Sequence, residues 1–268
     1  MIKLIASDVD GTLIKDSTPD MYPEMVEAIK KLKEHGVLFC ATSGRQYQSL
    51  RNVFRDVADE IAYIAENGAH IHYGDKDISV IPMNREYVES IIKMIRPYYG
   101  ECEIVVDTAN GGFIESTNQE FIDLLTFGYR NIYQKVEDVL KEDIEIIKIA
   151  VYRKGSIREI SERVFMPQWS SRVKTCISGE EWLDFMDLSV DKGNGLKFLE
   201  KHLGIAKEEV MAFGDNNNDI GMMLAAGTSY AVENAVDEVK KAAGHICPGW
   251  QEKGVYQILK KNFPEVLT

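Results

Sequence analysis

The stretch IASDVDGTLI, residues 5–14, sets the problem. It closes a near-continuous apolar run, IKLIAS (2–7), of the kind that forms a parallel strand buried on both faces. Two aspartates, Asp8 and Asp10, follow two residues apart, so they share one side of an extended chain, and Gly11 and Thr12 come next. Two carboxylates at the tip of a buried strand repel each other, and something must offset that repulsion.

Outward from this strand the chain alternates strand and helix. MVEAIKKLKEHG (25–36) carries Met25, Ile29 and Leu32 at helical spacing and stops at Gly36. VLFCAT (37–42) reads as a second buried strand, YQSLRNVFRDVA (47–58) as a helix with Leu50, Val53, Phe54 and Val57 on one stripe, and AYIAEN (62–67) as a third strand. AHIHYG (69–74) and DISVIP (77–82) read as a hairpin. The same rhythm returns at the end: helix 195–204, strand 210–215, helix 219–227, strand 229–234, helix 235–244, the short strand HICP (245–248) and a closing helix 254–263. This predicts an α/β, Rossmann-like parallel sheet covered by helices on both faces.

The middle differs. After a helix at 84–99 come ECEIVVD, GGFIES, QEFIDLLTF, IEIIKIAVY, IREISERVF, RVKTCIS and EWLDFMDL, strands with two helices between them. The pattern predicts an antiparallel α+β module with helices on one face, inserted at 83–186 into a discontinuous core of 1–82 and 187–268.

Each buried strand of the core ends in polar chemistry. The first ends at Asp8 and Asp10; the second at Thr42, Ser43, Gly44 and Arg45; the third at Glu66 and Asn67; the strand at 210–214 runs into Asp215, Asn216, Asn217, Asn218 and Asp219. In open parallel sheets ligands bind beyond the carboxyl ends of the strands, where strand order reverses, so these groups are expected in one crevice. Four carboxylates, Asp8, Asp10, Asp215 and Asp219, would then meet, and a hard divalent cation such as Mg²⁺ removes the difficulty. Lys192, the Ser43 hydroxyl and backbone N–H groups after Gly11 and Gly44 add donors, which makes this a site for a phosphoryl group.

The whole chain carries a net charge of −12 over 268 residues, with 45% hydrophobic and 28% charged residues. That composition fits a soluble protein with a real core and argues against nucleic acid or an anionic membrane as partner. Cys40, Cys102, Cys176 and Cys247 form no CxxC pair, and there is neither a signal-peptide pattern nor a membrane-length apolar run. The expectation is a reduced, cytoplasmic protein, a monomer or small homo-oligomer, whose partner is a small phosphorylated metabolite.

The motifs DVDGT (8–12), TSGR (42–45), Lys192 in DKGNGL, and GDNNND (214–219) occur in that order. Together they resemble the four motifs of the haloacid dehalogenase superfamily of phosphohydrolases. ENGA (66–69) and the position of the insert resemble its Cof-type subgroup with a class IIB cap. The resemblance implies a Mg²⁺-dependent phosphatase of sugar phosphates or similar metabolites, working through an aspartyl phosphate. Asp8 would be the nucleophile, and Asp10 the general acid and base, its backbone carbonyl also on the metal. Asp215 would be a metal ligand, and Asp219 would support the metal's waters or Lys192. Val9, Ser43, Gly44, Lys192 and Asn218 would contact the phosphoryl group, with Arg45 and Asn67 toward the rest of the substrate. A phosphomutase would use the same aspartyl phosphate; a phospho-receiver would use similar groups as a switch, but would not explain a cap of this size.

Taken singly, these residues have plainer readings: an Asp after a strand as a helix cap, Lys192 as a surface lysine, Asn217 and its neighbours as a polar loop. Order and strand-end placement favour catalysis. GNGLKF (193–198) lacks the third glycine of a dinucleotide loop. His70 and His72 share a strand face and could bind metal, although a half-exposed hairpin pair accounts for them. Arg45 either meets substrate or pairs with Glu66. In the insert, Lys148, Arg153, Arg172 and Lys174 are the candidate anion-binding groups.

Overall fold

A computed structural model describes residues 1–268 except 16, 17, 19 and 268. The chain divides into two compact units, Met1–Ile78 with Asp191–Thr268, and Ser79–Val190. The strands in chain order are β1 (Leu4–Asp8), β2 (Leu38–Thr42), β3 (Ala62–Ala65), β4 (His70–Tyr73), β5 (Lys76–Val80), β6 (Glu103–Thr108), β7 (Gly111–Ile114), β8 (Tyr133–Lys135), β9 (Lys148–Tyr152), β10 (Lys174–Ser178), β11 (Trp182–Met186), β12 (Val210–Gly214), β13 (Thr228–Val232) and β14 (His245–Cys247).

The first unit is built on a sheet of order β14-β13-β12-β1-β2-β3-β4-β5. Pairing is parallel from β14 to β3, and β4 returns antiparallel to β3. Every residue of β1 and β12 is buried, which is why both strands read as unbroken apolar runs. Helices flank the sheet. Pro23–Glu34 turns Met25, Ile29 and Leu32 into the core, and a proline in its first turn presets the helical φ. Lys192–Leu203 is started by Asp191, whose carboxylate accepts from the backbone N–H of Gly193 (2.8 Å) and Asn194 (3.3 Å). This helix packs so closely on Ile220–Ala225 that a Cβ at Gly193 would overlap the backbone of Gly221.

The second unit holds a sheet of order β10-β11-β9-β6-β7-β8, antiparallel except for β7 with β8. One face packs Ile104, Val106, Ile149, Val151 and Phe185 against Val88, Ile92 and Ile95 of the helix Arg85–Ile95 and against Phe165 and Trp169. The alternate residues Val105 and Ala150 lie on the other face, under Phe121 and Leu125 of the segment Gln119–Gly128. Helical cover is therefore on both faces, not on one as the sequence suggests. The helix expected over 84–99 ends at Ile95 and tightens into a 3₁₀ turn at Arg96–Tyr98, where Pro97 removes a backbone donor. No helix among the described residues is long and apolar enough to cross a membrane.

Gly193→Ala should destabilise the protein by about 1–3 kcal/mol, the usual cost of overpacking, because the obstacle is backbone and cannot swing aside. Urea unfolding of the two proteins measures this; equal midpoints would mean that the helix pair is looser than described.

Candidate active site

The strand order places the site. β1 lies between β2 and β12, where the sheet's connections depart in opposite directions. The register sets Asp8 opposite Thr42 and Ser7 opposite Phe213, so the ends of these strands open side by side. Asp215 leaves β12, and Asp219 closes the short turn Asn217–Asp219 behind it. The Oδ2 atom of Asp219 accepts from the backbone N–H of Asp215 (2.9 Å) and Asn216 (3.0 Å). Lys192 starts its helix and points its ammonium into the same space, donating to Asp8 Oδ1 (2.6 Å) and Asp219 Oδ1 (2.7 Å). Gly11 has φ +83°, and a Cβ there would overlap the Asp215 carboxylate. The Thr12 hydroxyl donates to Asp215 Oδ1 (3.2 Å), and the Asn234 amide donates to the carbonyl of Gly11 (2.7 Å).

Asp8, Asp215 and Asp219 each bring a carboxylate oxygen within 4.8 Å of the others. Three carboxylates face one ammonium. Burial pushes the Asp8 carboxyl well up, and Asp219 and Asp215 add to that, against the pull of Lys192. Burial, then repulsion from Asp219, pushes Asp215 up to about 7. For Lys192 burial acts the other way, but Asp219 and Asp8 outweigh it and keep the ammonium charged. The second oxygen of Asp8, Oδ2, is buried and has no hydrogen-bond partner among the described residues. An all-oxygen donor set with an unsatisfied carboxylate oxygen fits a hard divalent cation.

Asp10 is the exception among the four expected carboxylates. Its side chain is not in the cluster; it accepts from Arg45 through Nε (2.6 Å) and Nη2 (2.5 Å). Arg45 also donates to the carbonyl of Thr18 (3.2 Å). The sequence offers substrate or Glu66 as the partner of Arg45, and the structure supplies a third, Asp10. This bidentate pairing crosses from the loop after β1 to the loop after β2, a distance that no local pattern encodes.

Ser43, Arg45, Asn67 and Asn218 are linked by a chain of hydrogen bonds. Ser43 Oγ accepts from the backbone of Arg45 (3.1 Å), and the backbone of Asn67 donates to the Ser43 carbonyl (2.9 Å). Asn218 Nδ2 donates to Asn67 Oδ1 (2.9 Å). Glu66 and Asn67 both have left-handed backbones, at φ 50° and 56°. Such conformations cost of order 1–3 kcal/mol each and persist where the surroundings enforce them. A Cβ on Gly44 would lie 3.2 Å from the Asn67 amide nitrogen. Val9 is fully buried, its side chain in the core. Thr12 and Asn234 lie at the site beyond the expected residues; Thr12 sits inside the first motif, whereas no local pattern marks Asn234. In the second unit, Lys148 is buried and paired with buried Asp107 (3.1 Å), Arg153 meets Glu101 (3.7 Å), and Arg172 lies over the Trp169 ring (5.8 Å).

Residues 5–259 match the family of haloacid dehalogenase-like hydrolases. A 5-amino-6-(5-phospho-D-ribitylamino)uracil phosphatase of Escherichia coli is 29% identical to this chain, over 97% of the chain and 96% of the relative. A crystal structure from Eubacterium rectale is 33% identical, with a TM-score of 0.86, covering 97% of this chain and 99% of that one. A sugar phosphatase of haloacid dehalogenase subclass IIB shares the fold, at 22% identity and a TM-score of 0.83, over 98% of this chain and 99% of its own.

Lys192→Met leaves Asp8 and Asp219 buried without their cation. It should cost about 3–5 kcal/mol at neutral pH, as expected when one partner of a buried ion pair is removed. Lys3→Met removes a solvent-screened pair with Glu209 and should cost far less. Denaturant unfolding of the two variants compares them directly, and equal losses would contradict the buried-pair assignment.

Proposed function

This chain belongs to the haloacid dehalogenase-like hydrolases and is a phosphatase of small phosphorylated metabolites; we propose that it uses Mg²⁺ and carries the phosphoryl group on Asp8. The observation behind this reading is the state of Asp8: one oxygen held by Lys192, the other buried and without a hydrogen-bond partner. Asp8 and Asp215 side chains, with the backbone carbonyl of Asp10, would hold the cation. When bound, it would supply positive charge to the ionised carboxylates and to the phosphoryl oxygens.

In the first half-reaction an oxygen of Asp8 forms a bond to phosphorus while the bond to the leaving oxygen breaks. Asp10 gives its proton to that oxygen. In the second, water attacks the phosphorus, Asp10 takes its proton, and the bond between phosphorus and Asp8 breaks. Asp10 accepts twice from Arg45, an arrangement that suits a carboxylate ready to take a proton in the second half. Donating a proton requires Arg45 to loosen its hold, and an incoming phosphate ester is a competing anion for that guanidinium. Lys192, Ser43, the Gly44 amide and Asn218 would hold the equatorial oxygens, with Asp219 positioning Lys192. The inserted residues are proposed as the cap that selects the organic part of the substrate, here taken to be a phosphorylated sugar or polyol, as in the relative's ribityl phosphate.

A panel of sugar and polyol phosphates should release inorganic phosphate over many turnovers; conversion to an isomeric phosphate without release would make the enzyme a mutase instead. Asp8→Asn should fall to the blank, and Asp10→Asn should lose about 10²–10⁴-fold in kcat. A second expectation follows from Asp215, which burial and then Asp219 push up to about 7. Asp8, also a proposed ligand, is pushed up as well, so protons and metal compete and apparent Mg²⁺ affinity should rise with pH through neutrality. An affinity independent of pH over that range would count against these ligands.

A further inference from the structure

We propose that His70, His72 and Asp77 form a second metal site, separate from the carboxylate cluster, that takes a divalent transition ion of the Zn²⁺ kind. This inference does not depend on the proposed phosphatase mechanism. β4 and β5 are neighbours in the sheet; His70 and His72 lie on one face of β4, and Asp77 comes from β5. His70 Nε2 lies 2.6 Å and His72 Nδ1 2.8 Å from the same oxygen, Oδ1 of Asp77. The three donor atoms lie within 4.8 Å of one another.

The hydrogen bonds of His72 point to a cation. Its Nε2 lies 3.2 Å from the carbonyl oxygen of Gly74, which can only accept, so Nε2 carries hydrogen. A neutral imidazole has no second N–H. The Nδ1 lone pair would then face a carboxylate oxygen 2.8 Å away, acceptor against acceptor. A positive charge must lie between them, either a second proton or a metal ion. A metal on Nδ1 leaves Nε2–H bonded to Gly74, the outer hydrogen bond by which ligating histidines are normally oriented. His70 is 1% exposed, so its ring is enclosed with Nε2 directed at Asp77.

The rings are also held in place. Tyr47 stacks on His72, with centroids 4.3 Å apart, and meets the His70 ring edge-on at 5.1 Å. Two imidazoles and one carboxylate suit Zn²⁺ and its neighbours, whereas Mg²⁺ prefers oxygen alone. The side chain of Asp77 is 41% exposed, leaving the outer side open to water as a fourth ligand. Zinc–ligand distances of about 2.0–2.2 Å would widen the N···O separations by about half an ångström, a movement available to Asp77 on its exposed strand.

The test is a calorimetric titration of the chelator-treated full chain with Zn²⁺, in excess Mg²⁺ so that the oxygen site is filled. Wild type should take up Zn²⁺ and gain thermal stability. His72→Gln and Asp77→Asn should each weaken that uptake by at least about tenfold, while Asp8→Asn should retain it. Both substitutions fall on partly exposed side chains. Co²⁺ provides a second readout: imidazole ligation in a four-coordinate site gives intense visible absorption, lost in His72→Gln. Absence of Zn²⁺ uptake in wild type overturns the proposal. So does uptake unchanged in both variants, or uptake abolished by Asp8→Asn.

Discussion

The ammonium of Lys192, buried between Asp8 and Asp219, is the interaction on which the first unit turns. A charge taken out of water survives only with partners, and here both are carboxylates from different strand ends. To bring them together, β1 and β12 must be adjacent, the helix Lys192–Leu203 must begin at Asp191, and Gly193 must let that helix close on Gly221. The sheet order, one helix cap and one glycine contact thus share a single electrostatic purpose. Two carboxylates satisfy Lys192; the third, Asp215, leaves negative charge in excess and makes the pocket receptive to a further cation.

A second constraint lies in the backbone of Glu66 and Asn67. Two successive left-handed residues without glycine are an expense that folding alone does not explain. Their backbone N–H groups donate to the carbonyls of Arg45 and Ser43, and Asn67 accepts from Asn218. The strained turn therefore ties the loop after β2 to the loop after β12. Under the proposed mechanism these loops surround the transferring phosphoryl group, where fixed dipoles contribute most if they need not reorganise.

Much of this was legible because the strands are buried on both faces and end in abrupt polarity, so β1, β2, β3 and β12 and the residues at their tips announce themselves. Of the four carboxylates that strand-end logic brings together, Asp8, Asp215 and Asp219 converge and the Asp10 side chain does not, while Lys192 joins them from the start of its helix. What escaped was long-range pairing. Arg45 reaches Asp10 across 35 positions, and Asn234 reaches Gly11 across 223, contacts fixed by tertiary packing rather than local pattern. β8 escaped as well: it is three residues long, polar and at a sheet edge, so it lacks the alternation that marks a strand. Asp77 meets His70 and His72 only because β4 and β5 are neighbours in the sheet, and the spacing of His70 and His72 does not reveal that His70 is buried.

The central claim is that Asp8 carries the phosphoryl group and that Asp10 assists its departure to water. Mixing Asp10→Asn with p-nitrophenyl phosphate, whose leaving group needs no proton, should permit attack while slowing hydrolysis. Acid-quenched mass spectrometry should then find a phosphoryl adduct on the peptide containing Asp8, absent when Asp8 is also replaced by Asn. An adduct on any other residue, or steady release of p-nitrophenol by the Asp8→Asn protein, would contradict the account.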